Sequence, residues 1–197
     1  MMKVVLMCGP FNTRSGYGDH ARSIFYALHD SGKYNIKLWD VRWGDTPRNF
    51  LKQDNPRHKL LLDRFLKEPS LDNQPDLYID IRIPNEFEAF GKINIGVTAG
   101  IETTKIAPHW VEKSALMDKI ITISSHSKNI FLNTTYEAEN TDGVLVEFKC
   151  QTPVEYVSYP VRKFKPKKLD LNLTTDFNFL AVAQLSPRKN MHQLAEV

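Results

Sequence analysis

The sequence predicts an α/β fold, a parallel sheet flanked by helices, and three observations carry that expectation. Short apolar or β-branched runs recur at residues 3–8 and 119–124, the pattern of strands buried on both faces, and 77–83 reads as a further strand. Segments of helical spacing lie between such runs, with Ala21, Ile24, Phe25 and Leu28 on one face and Trp110, Val111, Ser114 and Met117 on another. Residues 93–129 read in order as strand, loop, helix, strand and helix start, a βαβ unit of about thirty residues. Ligands of such sheets bind beyond the carboxyl ends of the strands. The expected functional rim therefore carries Gly100, Glu102, Ser124, Ser125 and His126.

The elements follow in order. Residues 3–8 form a first buried strand and 9–15 a loop. A helix is expected over 16–31, stopped by Gly32. Alternation at Ile36 and Leu38 marks a second strand over 34–41. Residues 46–56 are polar and interrupted by two prolines, and a short helix is expected over 60–66, before Pro69. A third strand spans 77–83 and is closed by Pro84. Ile93, Ile95 and Val97 alternate as a fourth strand, and Pro108 suits the first residue of a helix. After the strand at 119–124 a helix is expected over 125–135, with Ser124 or Ser125 capping it. Leu145, Val146 and Phe148 mark one short strand, and Val154, Tyr156 and Val157 another. Residues 163–175 are lysine-rich and broken by Pro166, as a linker would be. A fresh buried strand is expected over 178–184, then a loop over 185–190 and a helix from Met191. The domain reading is thus residues 1–160, a linker over 161–177, and the opening of a second, truncated domain over 178–197.

The composition bounds the function. A chain of 197 residues, 42% hydrophobic and 25% charged, is ordinary for a soluble globular protein and can bury one good core. A net charge of +3 offers no general attraction for nucleic acid, and no such partner is expected. Two cysteines, Cys8 and Cys150, make neither a disulfide framework nor a metal site. No metal is expected, and reduced thiols in the cytoplasm are the simpler reading. The apolar run at residues 4–8 is too short for a signal peptide or a membrane span. The basic run at 162–168 reads as a solvated linker, with peripheral contact to an anionic membrane surface as its alternative.

Gly16, Gly18 and Ala21 fit G-x-G-x-x-A, and Asp40 ends the second strand, so together they imitate a dinucleotide-binding fingerprint. That fingerprint needs its glycines at the strand end, where the helix N-terminus meets a pyrophosphate. Here residues 9–15 intervene, which weighs against a nicotinamide-dependent oxidoreductase. Two readings remain. The glycines admit a sugar or phosphate to the backbone N–H groups, or they serve only the φ angles of the loop. Glu102 reads either as an acceptor for a sugar hydroxyl or as a solvated loop acid near a helix start. His20 and His126 read as substrate-orienting or structural groups. Trp110 reads as core, while Trp39 and Trp43 flank Asp40, with Trp43 on the rim. No Ser-His-Asp pattern supports a nucleophile.

Several segments resemble a known family. Pro10 with Ser15-Gly-Tyr-Gly18 and the helix behind them resemble the first loop of family 4 glycosyltransferases. Ile101-Glu-Thr-Thr104 with Pro108-His-Trp110, and residues 117–124 followed by His126 to Phe131, are similar to the centre of their acceptor domain. Residues 179–190 are similar to the first strand and loop of their donor domain. The resemblance implies the GT-B fold, two Rossmann-like domains, of which the first binds a carbohydrate, lipid or protein acceptor and the second a nucleotide-diphospho-sugar. It implies retaining sugar transfer without a metal or other cofactor. It matches Gly16 and Gly18 to the loop that approaches the donor phosphates and the acceptor; beside it, Glu102 is taken as the catalytic candidate, and Gly16, Tyr17, Gly18 and His126 as the substrate-binding ones. Arg188 and Lys189 would hold the donor diphosphate. The chain departs from the family twice. Ala183-Gln184 stands where Gly-Arg is common, and residues 98–103 lack a histidine often found there. These departures raise a non-catalytic binding module as the alternative. The acidic donor-sugar motif would lie beyond Val197, so this chain alone is expected to be inactive. An oligomer formed through the second domain is a further expectation.

Overall fold

A computed structural model describes residues 2–68, 70–139, 143–161, 163–183 and 187–196, apart from the side chain of Arg188. The chain divides into two compact units, Met1–Val161 and Arg162–Val197. Among the described residues no helix is long and apolar enough to cross a membrane.

The first unit is an α/β layer structure. Its six-stranded parallel sheet comprises β1 (Lys3–Gly9), β2 (Tyr34–Asp40), β3 (Leu77–Ile81), β4 (Ile93–Val97), β5 (Lys119–Thr122) and, after an excursion, β8 (Val154–Tyr156). They lie in the order β2-β1-β3-β4-β5-β8. After α1 (Gly16–Asp30) the chain adds β2 to one side of β1, and after α2 (Pro56–Leu62) it returns to add β3 on the other. The order of addition therefore reverses between β1 and β3. Such a reversal opens a crevice at the carboxyl ends of the strands, because the two adjoining loops run to opposite faces.

Both faces of the sheet are apolar. Val5 and Met7 of β1, Ile79 and Ile81 of β3 and Val97 of β4 pack with Ala21 and Phe25 of α1 and Leu61 of α2. On the opposite face Ile120 and Val154 pack with Val111 of α3 (Pro108–Ser114) and with Ile130 and Phe131 of α4 (Ser125–Asn133). The local signals explain the helix ends. The hydroxyl of Ser15 accepts from Gly18 N–H at 3.0 Å, Ser124 does the same for Ser127 N–H at 3.1 Å, and Gly32 closes α1 at φ +67°.

Three expectations are corrected. The helix expected over 60–66 lies at Pro56–Leu62. Asn55 caps it, accepting from Arg57 and His58 N–H, and Pro56 takes the first position, where its missing N–H costs nothing. Residues 64–66 instead turn back to β2. Leu38 N–H donates to Arg64 C=O and Leu66 N–H to Leu38 C=O, both at 2.9 Å, so Phe65 makes a one-residue parallel bridge beside β2. Next, α4 ends at Asn133 and the chain enters β6 (Thr135–Glu139), which pairs antiparallel with β7 (Leu145–Lys149) in a sheet of its own. The two short strands expected over 143–159 are present, β7 paired with β6 and β8 with β5.

The third correction concerns the second unit. No strand forms over residues 178–183, while Gln184, Leu185 and Ser186 lie outside the described residues. A strand needs a lateral partner for its N–H and C=O groups, and none is present among the described residues of that unit. Phe179, Leu180 and Val182 are accordingly about nine-tenths exposed. A turn at Pro187–Lys189 precedes the short helix α5 (Met191–Ala195).

One buried charge anchors the centre of the sheet. Asp80 of β3 is fully buried. It accepts from Arg82 Nε at 2.6 Å and Nη2 at 2.7 Å, from the Tyr78 hydroxyl at 3.1 Å and from Glu88 N–H at 3.2 Å. A buried carboxylate is tolerated only when its lone pairs are met in this way. Asp80→Ala leaves the Arg82 guanidinium without its two-pronged partner. The expected loss is about 3 kcal/mol of unfolding free energy, read as a lower urea midpoint with an unchanged slope.

Candidate functional site

The site is built from the loops at the carboxyl ends of β1, β2, β4 and β5. Residues 10–15, after β1, are held from below and from the side. Arg22, buried within α1, donates Nη1 to Phe11 C=O at 2.7 Å and to Thr13 C=O at 2.9 Å, and its guanidinium lies 3.7 Å from the centre of the Phe50 ring. Asn12 ties the loop to residues 48–51. Its N–H donates to Asp40 Oδ1 at 3.0 Å and its Nδ2 to Arg48 C=O at 3.0 Å, while its Oδ1 accepts from Leu51 N–H at 2.9 Å. Arg48 completes the arrangement by donating Nε and Nη2 to Asp40 Oδ2. The carboxylate of Asp40 is thus committed to the loop.

The two glycines of this segment differ. A Cβ on Gly18 would stand 2.7 Å from the carbonyl and hydroxyl of Thr13 and 2.8 Å from Pro10 C=O, so Gly18 exists to let the helix touch the loop. Its N–H is taken by Ser15. A Cβ on Gly16 would meet nothing within 4 Å. The N–H groups of Gly16 and Tyr17 have no hydrogen-bond acceptor among the described residues, as expected of the first turn of a helix.

Tyr17 spans the crevice. Its hydroxyl lies 3.0 Å from Thr98 Oγ1 and accepts from Ala99 N–H at 3.0 Å, which joins α1 to the loop after β4. Burial pushes the Tyr17 phenol up, so it stays neutral and able to donate. Trp43, from the loop after β2, stacks on the ring with centroids 4.2 Å apart and planes at 28°. The next loop is joined in turn. Gly100 has φ +76°, and a Cβ there would lie 2.5 Å from Ser127, whose hydroxyl donates to Ala99 C=O at 3.2 Å. Only glycine allows this approach of the loop to the start of α4.

The sequence-based candidates separate into groups. Gly16, Tyr17 and Gly18 lie together at the start of α1, with Gly18 fully used by packing. Glu102 is exposed in the loop after β4, and His126 is exposed in the first turn of α4. Both sit on loops that the contact of Gly100 with Ser127 brings side by side. Lys189 is exposed in the second unit, and the side chain of Arg188 is outside the described residues. Ser124 caps α4, and Trp110 packs in the core against Phe131.

Sequence reasoning missed Thr98, fully buried yet bonded to Tyr17, and the pair of His20 with Tyr159. Tyr159 meets the His20 ring edge-on, with centroids 4.6 Å apart, beside the same first turn. No local signal announces either contact, since each joins residues far apart in the chain. Among the described residues no three His, Cys, Asp or Glu side chains gather as a metal would require. No family model, curated protein or solved structure matches the chain.

Two outcomes are expected. Gly18→Ala forces the loop away from the helix and costs about 2 kcal/mol. Gly16→Ala, in open space and with a better helix former, changes stability by no more than about 0.5 kcal/mol; thermal unfolding of the two variants compares them directly. His20 gives the second. Its pKa is lowered from the ordinary 6.5, by burial first, with Asp19 pulling it partly back. The unfolded chain then takes up the proton more readily, so stability is complete above about pH 6.5 and declines as the pH falls below it. Urea midpoints at pH 7.5 and pH 5 should differ less in His20→Phe than in the wild type.

Proposed function

We propose that the first unit forms the acceptor side of a glycosyltransferase, acting with a nucleotide-diphospho-sugar as donor. One observation carries the reading. At the reversal between β1 and β3, the N–H groups of Gly16 and Tyr17 have no acceptor among the described residues, and the Tyr17 ring stacks on Trp43. Oxygen-rich, flat-sided ligands suit such a niche, because N–H groups donate to hydroxyl oxygens and an aromatic face covers an apolar ring face. The similarity of residues 10–18, 101–131 and 179–190 to family 4 glycosyltransferases points the same way.

In the proposed reaction the bond between the anomeric carbon and the diphosphate oxygen breaks, and the nucleoside diphosphate leaves with the electron pair. An acceptor hydroxyl forms the new bond, with retention, and its proton passes to the departing phosphate. Glu102 accepts a hydrogen bond from a substrate hydroxyl, and His126 orients the acceptor. Arg188 and Lys189 stabilise the charge that develops on the leaving diphosphate. A nicotinamide role is disfavoured by Asp40, the residue that would bind the ribose, because Asn12 and Arg48 occupy its oxygens. Ala183-Gln184 in place of Gly-Arg favours a second reading, carbohydrate binding without transfer.

Saturation-transfer NMR on the chain tests the proposal with a panel of saccharides and NADH. A saccharide signal without an NADH signal is expected, and tight NADH binding with no saccharide signal would sink it. Release of nucleoside diphosphate from a nucleotide-diphospho-sugar, measured with the bound saccharide present, separates transfer from binding alone.

A further inference from the structure

We infer that Trp43 is the stacking platform for a pyranose ring in this niche, an inference that rests on the carbohydrate reading above. The three tryptophans are treated differently by the fold. Trp39 packs against the cluster of Leu6, Cys8 and Tyr78, and Trp110 against that of Phe131. Trp43 joins none of the core clusters and remains half-buried, resting on Tyr17. Trp39 and Trp110 are partly buried as well, but each packs on a core cluster, whereas Trp43 packs on none of them.

Its position is nevertheless firmly held. Val41 N–H donates to Gly9 C=O at 3.1 Å on one side of Trp43, and Thr46 N–H donates to Trp43 C=O at 3.0 Å on the other. Arg48 then returns the loop to Asp40 and Asn12. Beneath the ring, Tyr17 is itself fixed by Thr98 and Ala99. A platform held in place before binding loses little entropy when a ligand arrives. The space beside it is open, since neither Gly16 nor Gly44 would have a neighbour within 4 Å of an added Cβ. One ring face of Trp43 is thus spoken for by Tyr17. Tyr17 and its chain neighbour Gly16 carry N–H groups with no acceptor among the described residues. An apolar face bordered by donors matches a pyranose, which carries C–H groups on its faces and hydroxyls on its perimeter.

The test titrates wild type, Trp43→Ala and Trp43→Phe with methyl pyranosides, maltose, cellobiose and uridine, following binding by NMR. Expected is pyranoside binding weakened about tenfold or more in Trp43→Ala and retained within about threefold in Trp43→Phe. Equal pyranoside binding by wild type and Trp43→Ala overturns the platform and leaves the carbohydrate reading standing. Uridine bound in place of pyranosides also overturns the platform, and leaves only the nucleotide part of that reading. Absence of any pyranoside binding overturns both. Should Trp43→Ala fail to fold, acrylamide quenching decides. Protection of tryptophan emission by the pyranoside in wild type and not in Trp43→Phe supports the platform, and equal protection in both overturns it.

Discussion

The hydroxyl of Tyr17 holds together what the sheet would otherwise leave apart. The loops after β1 and β4 belong to strands separated by β3, and no backbone bond joins them. One phenol oxygen closes the gap, meeting Thr98 Oγ1 and Ala99 N–H 81 and 82 residues further along the chain. Burial raises its pKa and so keeps the proton that this geometry requires. The rest follows from that bridge. The Tyr17 ring supports Trp43, and the placement of Ala99 allows Ser127 to bond its carbonyl and Gly100 to lie on α4. Three loops and two helix starts are thereby positioned by one side chain.

The opposite face of the sheet supplies the rigidity beneath. Asp80 of β3 and Arg82, two residues further along and just past the strand's end, pair there, with Tyr78 and Glu88 N–H completing the carboxylate's bonds. The same bonds hold the chain that follows β3, where the turn Pro84–Glu86 packs against α3. Cys8 lies beside this charge, and burial pushes its thiol up to about 12, so it is inert packing and not a nucleophile. Polar groups on this side are fully satisfied, whereas the first turn of α1 retains donors without acceptors.

Much of the fold was legible because strand burial and helix caps leave local traces. The runs at 3–8, 77–83 and 119–124 became β1, β3 and β5, and Gly32 and Ser124 marked helix ends where expected. The start of α2 was also present in Asn55-Pro56, a capping residue before a proline, but leucine spacing further along drew the expected helix four residues late. β6 was not legible, since Thr135-Tyr-Glu-Ala-Glu139 is polar and its strand state comes from pairing with β7. Residues 178–183 show the converse, an apolar run of strand-like composition that stays unpaired.

The sequence by itself determined the α/β class and the positions of the main strands, because periodicity and capping act over a few residues. It could not distinguish Gly16 from Gly18, reveal that Asp40 is taken by Asn12 and Arg48, or show that Trp43 stacks on Tyr17. Those distinctions depend on which distant groups come within about 3 Å, and only the packing of the sheet brings them there.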